Sequence, residues 1–106
     1  MTALLIARFP GDSDQLQAAY DRAHRRLASH TGPPIGELRH HCAIGDDALY
    51  LVGVWRSEAH IRTRFGDPAF VALLQAEGFP RPSEAELTIL RLHVTEPPLP
   101  LDTVGC

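Results

Sequence analysis

A chain of 106 residues with 44% apolar and 22% charged side chains is one domain long and has the composition of an ordinary globular protein, which excludes a fibrous or wholly disordered design. All ten basic residues are arginine, yet thirteen carboxylates outweigh them and leave a net charge of -3, so the concentrated basic surface that a nucleic-acid partner needs is missing. No apolar run approaches the roughly 20 residues that span a bilayer.

Residues 3–9 are apolar except for Arg8 and end in the turn residues Pro10-Gly11-Asp12, which predicts a buried first strand. No basic stretch precedes them, so they do not read as a signal peptide, and the expected location is the cytoplasm with no membrane partner. In that reducing setting Cys42 and Cys106 are expected to remain thiols. Leu16, Ala19, Tyr20, Ala23 and Leu27 recur every three or four residues, giving one apolar stripe on a helix over residues 13–29. Asp12 or Ser13 caps it, and Thr31-Gly32-Pro33-Pro34 ends it.

Residues 36–43 and 49–55 are β-prone and flank Ile44-Gly45-Asp46-Asp47-Ala48, the pattern of an antiparallel hairpin. Ser57 caps a short helix carrying Ala59, Ile61 and Phe65 that stops at Gly66. Asp67-Pro68 starts another, whose buried face is Phe70, Val71, Leu73 and Leu74 and which ends at Gly78. Alternation over residues 86–94 predicts the last strand. The order β-α-β-β-α-α-β makes an α+β ferredoxin-like domain over residues 1–96, a four-stranded antiparallel sheet with helices on one face. Residues 97–106 form a proline-rich C-terminal tail, whose Leu99, Leu101 and Val104 are expected to dock.

Both faces of the later strands are apolar, with Leu49, Leu51 and Trp55 opposing Tyr50, Val52 and Val54, and Leu87 and Ile89 opposing Leu90, Leu92 and Val94. A sheet wetted on one side alternates apolar with polar. The expected partner is therefore a second copy of the chain, packed on the face away from the helices.

Several residues in combination, Phe9-Pro10-Gly11, His40, Val54-Trp55-x-Ser57-Glu58, Phe65, Gly78-Phe79-Pro80-x-Pro82 and His93, resemble the antibiotic biosynthesis monooxygenase-like proteins of the dimeric α/β-barrel superfamily, especially small actinobacterial members. The likeness spans residues 3–95. It implies a homodimer joined through the sheets and a pocket between sheet and helices, in a superfamily that includes monooxygenases, haem-degrading enzymes, isomerases and members without known chemistry. Two positions depart from the pattern. Gly53 stands where an acidic residue is frequent, and His60-Ile61 replaces an aromatic early in the second helix.

Two strand histidines, His40 and His93, are the candidate catalytic groups, because imidazole exchanges a proton near neutral pH. Trp55, Tyr50, Phe65, Phe70 and Arg91 are the candidate substrate-binding residues. Arg8 and Arg91 interrupt apolar strands, so each reaches solvent, pairs with a carboxylate such as Glu37, or receives an anionic ligand. Alternation places His40 and Cys42 on one face and His41 on the other, and the short paired repeats of zinc sites are lacking, so no metal is expected. Nor is there a glycine-rich phosphate loop or a nucleophile elbow. The expected function is a small homodimeric monooxygenase-like protein that binds or oxidises an aromatic or polyketide-like molecule without a tightly bound organic cofactor. The alternative is a non-catalytic dimeric ligand-binding or structural module.

Overall fold

In the computed structural model, which describes residues 1–30 and 34–99, the chain runs β1 (Ala3–Pro10), α1 (Ser13–His30), β2 (Glu37–Ile44), β3 (Ala48–Trp55), α2 (Glu58–Phe65), α3 (Pro68–Ala76), a 3-10 turn (Pro82–Glu84) and β4 (Glu86–Arg91). The strands pair in the order β2-β3-β1-β4, each neighbour antiparallel. This is the α+β ferredoxin-like arrangement that the segment order predicts.

Local chemistry sets the helix starts. The Asp12 carboxylate accepts from the Gln15 amide at 2.9 Å, Ser57 Oγ accepts from the His60 amide at 3.3 Å, and Asp67 Oδ1 accepts from the Ala69 amide at 3.1 Å, with Pro68 in the first turn. Each satisfies an amide that the helix itself leaves unpaired. Gly78 follows α3 at φ 80°, a left-handed geometry that suits glycine.

Strand β1 alternates strictly. Ala3, Leu5, Ala7 and Phe9 are buried beneath the helices, while Leu4, Ile6 and Arg8 point to the opposite face and are only partly covered. The buried set packs with Leu16, Ala19 and Ala23 of α1, Leu49 and Trp55 of β3, Ile61 of α2, Phe70 and Leu74 of α3, and Phe79. Phe9 and Phe79 meet with ring centroids 4.9 Å apart.

Strand β4 is shorter than its alternation predicts. It ends at Arg91, and one further bond, from the Leu92 amide to the Thr2 carbonyl at 3.0 Å, closes the ladder. The ladder goes no further, and His93 and Val94 lie outside the strand and are exposed. The chain beyond then crosses to the opposite edge of the sheet, where Arg39 Nη2 on β2 donates to the Pro98 carbonyl at 3.2 Å. Leu99 is partly buried. Leu101, Val104 and Cys106 lie outside the described residues.

On the face away from the helices, Leu4, Ile6 and Val52 are partly covered and Leu90 is 49% exposed. Arg8 also sits there and pairs with carboxylates, although not with Glu37. Its Nη1 lies 2.8 Å from Glu86 and its Nη2 3.6 Å from Asp47, and its Nε donates to the Tyr50 hydroxyl at 3.4 Å.

Candidate active site

Between the helices and the β1, β3 and β2 side of the sheet lies a cavity of about 390 Å³. Its floor is Leu5 and Phe9 from β1 with Leu51, Gly53 and Trp55 from β3, and its walls are α1, α2 and α3. That volume falls in the range of small-molecule pockets, and the lining is mostly apolar.

One wall carries a connected polar group. Glu37 Oε2 lies 3.0 Å from His40 Nδ1, and His40 Nε2 lies 2.6 Å from the Tyr20 hydroxyl. An ionised Glu37 fixes the tautomer, since it needs a proton on Nδ1 and leaves Nε2 to accept from Tyr20. All three residues line the cavity. The rings of Tyr20, His24 and His40 lie nearly parallel, with interplanar angles of 18°, 8° and 11°.

The carboxylate and imidazole share a face because of an irregularity. In a regular strand, residues three apart point to opposite faces. Here the register slips between Glu37 and Arg39, so that Glu37 stands opposite Trp55 and His40 opposite Gly53, both on the cavity side of β3. The bulge converts an alternating pair into neighbours. Burial, chiefly, pushes the Tyr20 phenol up to about 12, with Cys42, Glu37 and Asp21 adding to it. Tyr20 therefore stays protonated at neutral pH and has a proton to donate to His40 Nε2. Burial also pushes the Cys42 thiol up to about 11.

Gly53 shapes the floor. A Cβ at this position would stand 3.0 Å from Trp55 Nε1 and 3.0 Å from the Arg39 carbonyl, so glycine is what lets the indole lie across β3. Trp55 is 2% exposed, and its Nε1 has no hydrogen-bond partner among the described residues. A buried N–H without an acceptor is uncommon and offers a donor at the cavity wall. Gly36, at φ 89°, presses on the His60 ring, which would lie 2.5 Å from an added Cβ. The His60 ring in turn bonds Ser57 Oγ through Nδ1 at 2.6 Å, which ties the approach to β2 to the start of α2.

At another wall the Arg64 guanidinium lies over the Phe70 ring, 4.0 Å from its centroid, and the Phe65 ring is 6.2 Å from Phe70. Burial lowers the Arg64 pKa, partly offset by Glu37 and Asp67.

Of the residues singled out from sequence, the fold brings His40, Trp55, Phe65 and Phe70 together around one cavity. Tyr50 is on the opposite face beside Arg8. Arg91 ends β4, the edge strand that contributes nothing to the lining, and His93 lies beyond it. Tyr20, His24, Glu37 and Arg64 complete the site. Tyr20 and His24 had one signal available, since polar aromatics four residues apart on a helix stand on the same side.

No family model matches the chain, and no curated protein matches it. Its fold does match solved structures. The monooxygenase from the ActVA-Orf6 gene of Streptomyces coelicolor, solved with nanaomycin D, superposes with a TM-score of 0.67 at 19% identity over 91% of this chain and 91% of that one. SnoaB, a cofactor-independent oxygenase from Streptomyces nogalater, gives 0.62 at 17% identity over 92% of this chain and 98% of that one. A protein of unknown function from Nitrosomonas europaea gives 0.62 at 14% identity, covering 92% and 94%. The chain thus has the fold of antibiotic biosynthesis monooxygenase-like structures, and at these identities the likeness is one of fold.

Proposed function

We propose that the chain is a small homodimeric monooxygenase-like protein that binds an aromatic or polyketide-like molecule in the sheet–helix cavity and oxidises it without a tightly bound organic cofactor. The observation that carries this reading is the hydrogen-bonded line Glu37–His40–Tyr20 along one wall of a mostly apolar cavity. Further support comes from the fold shared with SnoaB and the ActVA-Orf6 protein, one a cofactor-independent oxygenase and the other a monooxygenase bound to nanaomycin D.

The arrangement suits proton removal from a phenol or an acidic ring CH. Tyr20 accepts the substrate proton as it passes its own to His40 Nε2, and Glu37 stabilises the imidazolium through Nδ1. The resulting phenolate or carbanion is electron-rich and reduces dioxygen. A ring CH2 becomes C=O, one oxygen atom stays on carbon, and the other leaves as water with the two hydrogens. Apolar walls favour this step by keeping bulk water from the anion.

The second copy belongs on the face away from the helices, where Leu4, Ile6, Val52 and Leu90 leave an apolar strip beside the Arg8 cluster. A two-fold axis pairs such a patch with itself.

Oxygen uptake on hydroxylated polycyclic phenols tests the activity. Wild type is expected to consume dioxygen, and His40→Ala to lower kcat about 100-fold or more with a small change in KM. No uptake with any such phenol, in a chain that still binds them, would contradict the oxygenase and leave a ligand-binding module.

A further inference from the structure

The wall opposite in character to the Glu37–His40–Tyr20 line is Arg64, which among the cavity's lining residues is the one with a permanent positive charge. Its guanidinium lies over the Phe70 ring, 4.0 Å from the centroid, a cation–π contact that holds the charge in place but supplies no hydrogen-bond acceptor. Among the described residues no carboxylate comes within ion-pairing distance of it, whereas Arg8, Arg22, Arg26, Arg62 and Arg81 all have such partners.

Two acids are near enough to act on Arg64 through space, Glu37 and Asp67. Both are committed elsewhere. Glu37 bonds His40, and Asp67 caps α3. A partly buried guanidinium with its donors unmatched is costly to hold, and an anion brought into the cavity relieves that cost.

We infer that Arg64 is a specificity-determining residue that selects planar aromatic ligands carrying a carboxylate, which its fork engages while the aromatic body lies in the apolar cavity. This rests on the reading of the cavity as a ligand site and names the class of ligand it takes. The geometry suits it. Phe65 and Phe70 line the cavity beside Arg64, whose charge already rests on Phe70, and a bidentate carboxylate fills the fork better than a single oxygen. The proton-accepting line on the other wall then addresses a different part of the same molecule.

Calorimetric titration of the full chain at neutral pH with 2-naphthoate and with 2-acetylnaphthalene, a neutral compound on the same bicyclic frame, decides the matter. Wild type should bind the carboxylate roughly tenfold more tightly than the ketone. Arg64→Gln should erase that preference by weakening the carboxylate alone, and Arg64→Lys, which keeps the charge but not the fork, should retain part of it. Should Arg64→Gln fail to fold, the wild-type preference and the Arg64→Lys value still decide. Equal affinities for the two compounds in wild type overturn the inference while the ligand site stands. Binding of neither compound overturns both.

Discussion

The two faces of the sheet come from the same alternating strands and meet opposite surroundings. On the helix side, Leu5, Phe9, Leu49 and Trp55 are almost completely buried, and the space they leave is a cavity with a polar line along one wall. On the other side, Leu4, Ile6 and Val52 are half-covered, Leu90 is exposed, and the charged residues Arg8, Glu86 and Asp47 satisfy one another. One face therefore carries the core and the cavity, and the other is the face on which the proposed second copy would pack. The difference shows that apolar residues on both faces of a strand need not share one core, since here one face is buried and the other stays partly open.

Substitutions on the two faces should fail in different ways. Phe9→Ala removes a fully buried ring and is expected to cost about 3–5 kcal/mol, read as a lowered midpoint in urea unfolding. A cost under about 1 kcal/mol would mean the covered face is not the core. Leu90→Asp on the open face should leave the circular dichroism spectrum intact and reduce the mass seen by light scattering at micromolar concentration from two chains to one. Wild type already running as a single chain would contradict the assembly role of that face.

The smallest effect comes from two groups on the covered face. Tyr20 is raised from 10.0 to about 12 and Cys42 from 9.0 to about 11, in both cases chiefly by burial. The unfolded chain releases these protons first, so above pH 9 it holds fewer protons than the folded chain, and stability falls as pH rises toward 12. Below about pH 8 neither group contributes an appreciable slope. Urea midpoints at about pH 8 and about pH 10.5 should differ in wild type, and the difference should shrink in Cys42→Ser. An equal loss in the variant would remove Cys42 from the account.

Periodicity and punctuation made most of the fold legible. Asp12, Ser57 and Asp67 cap the helices expected of them, and the alternation of β3 sorts its residues correctly between faces, whereas the continuous apolar run of β1 reads as buried throughout and gives no hint that Leu4 and Ile6 face away from the helices. Trp55, Phe65 and Phe70 were legible as cavity aromatics because each belongs to an apolar pattern that had to meet the helices. The pairing of Glu37 with His40 was not, because it depends on a register slip that no local pattern announces and that reverses the face alternation assigns. Strand alternation continues through His93, but the strand ends at Arg91 and the ladder closes at Leu92. Arg64 was hidden for another reason, since its position over Phe70 arises from the packing of α2 against α3.

Trp55 is the single tryptophan of the chain and lines the cavity, so its fluorescence reports directly on occupation of the covered face. Titration of the wild-type protein with a hydroxylated polycyclic phenol should change the Trp55 emission along a saturable curve with one site per chain. An emission that does not change up to the solubility limit of the phenol, or changes only in linear proportion to it, would contradict the cavity as a ligand site and with it the function proposed for this fold.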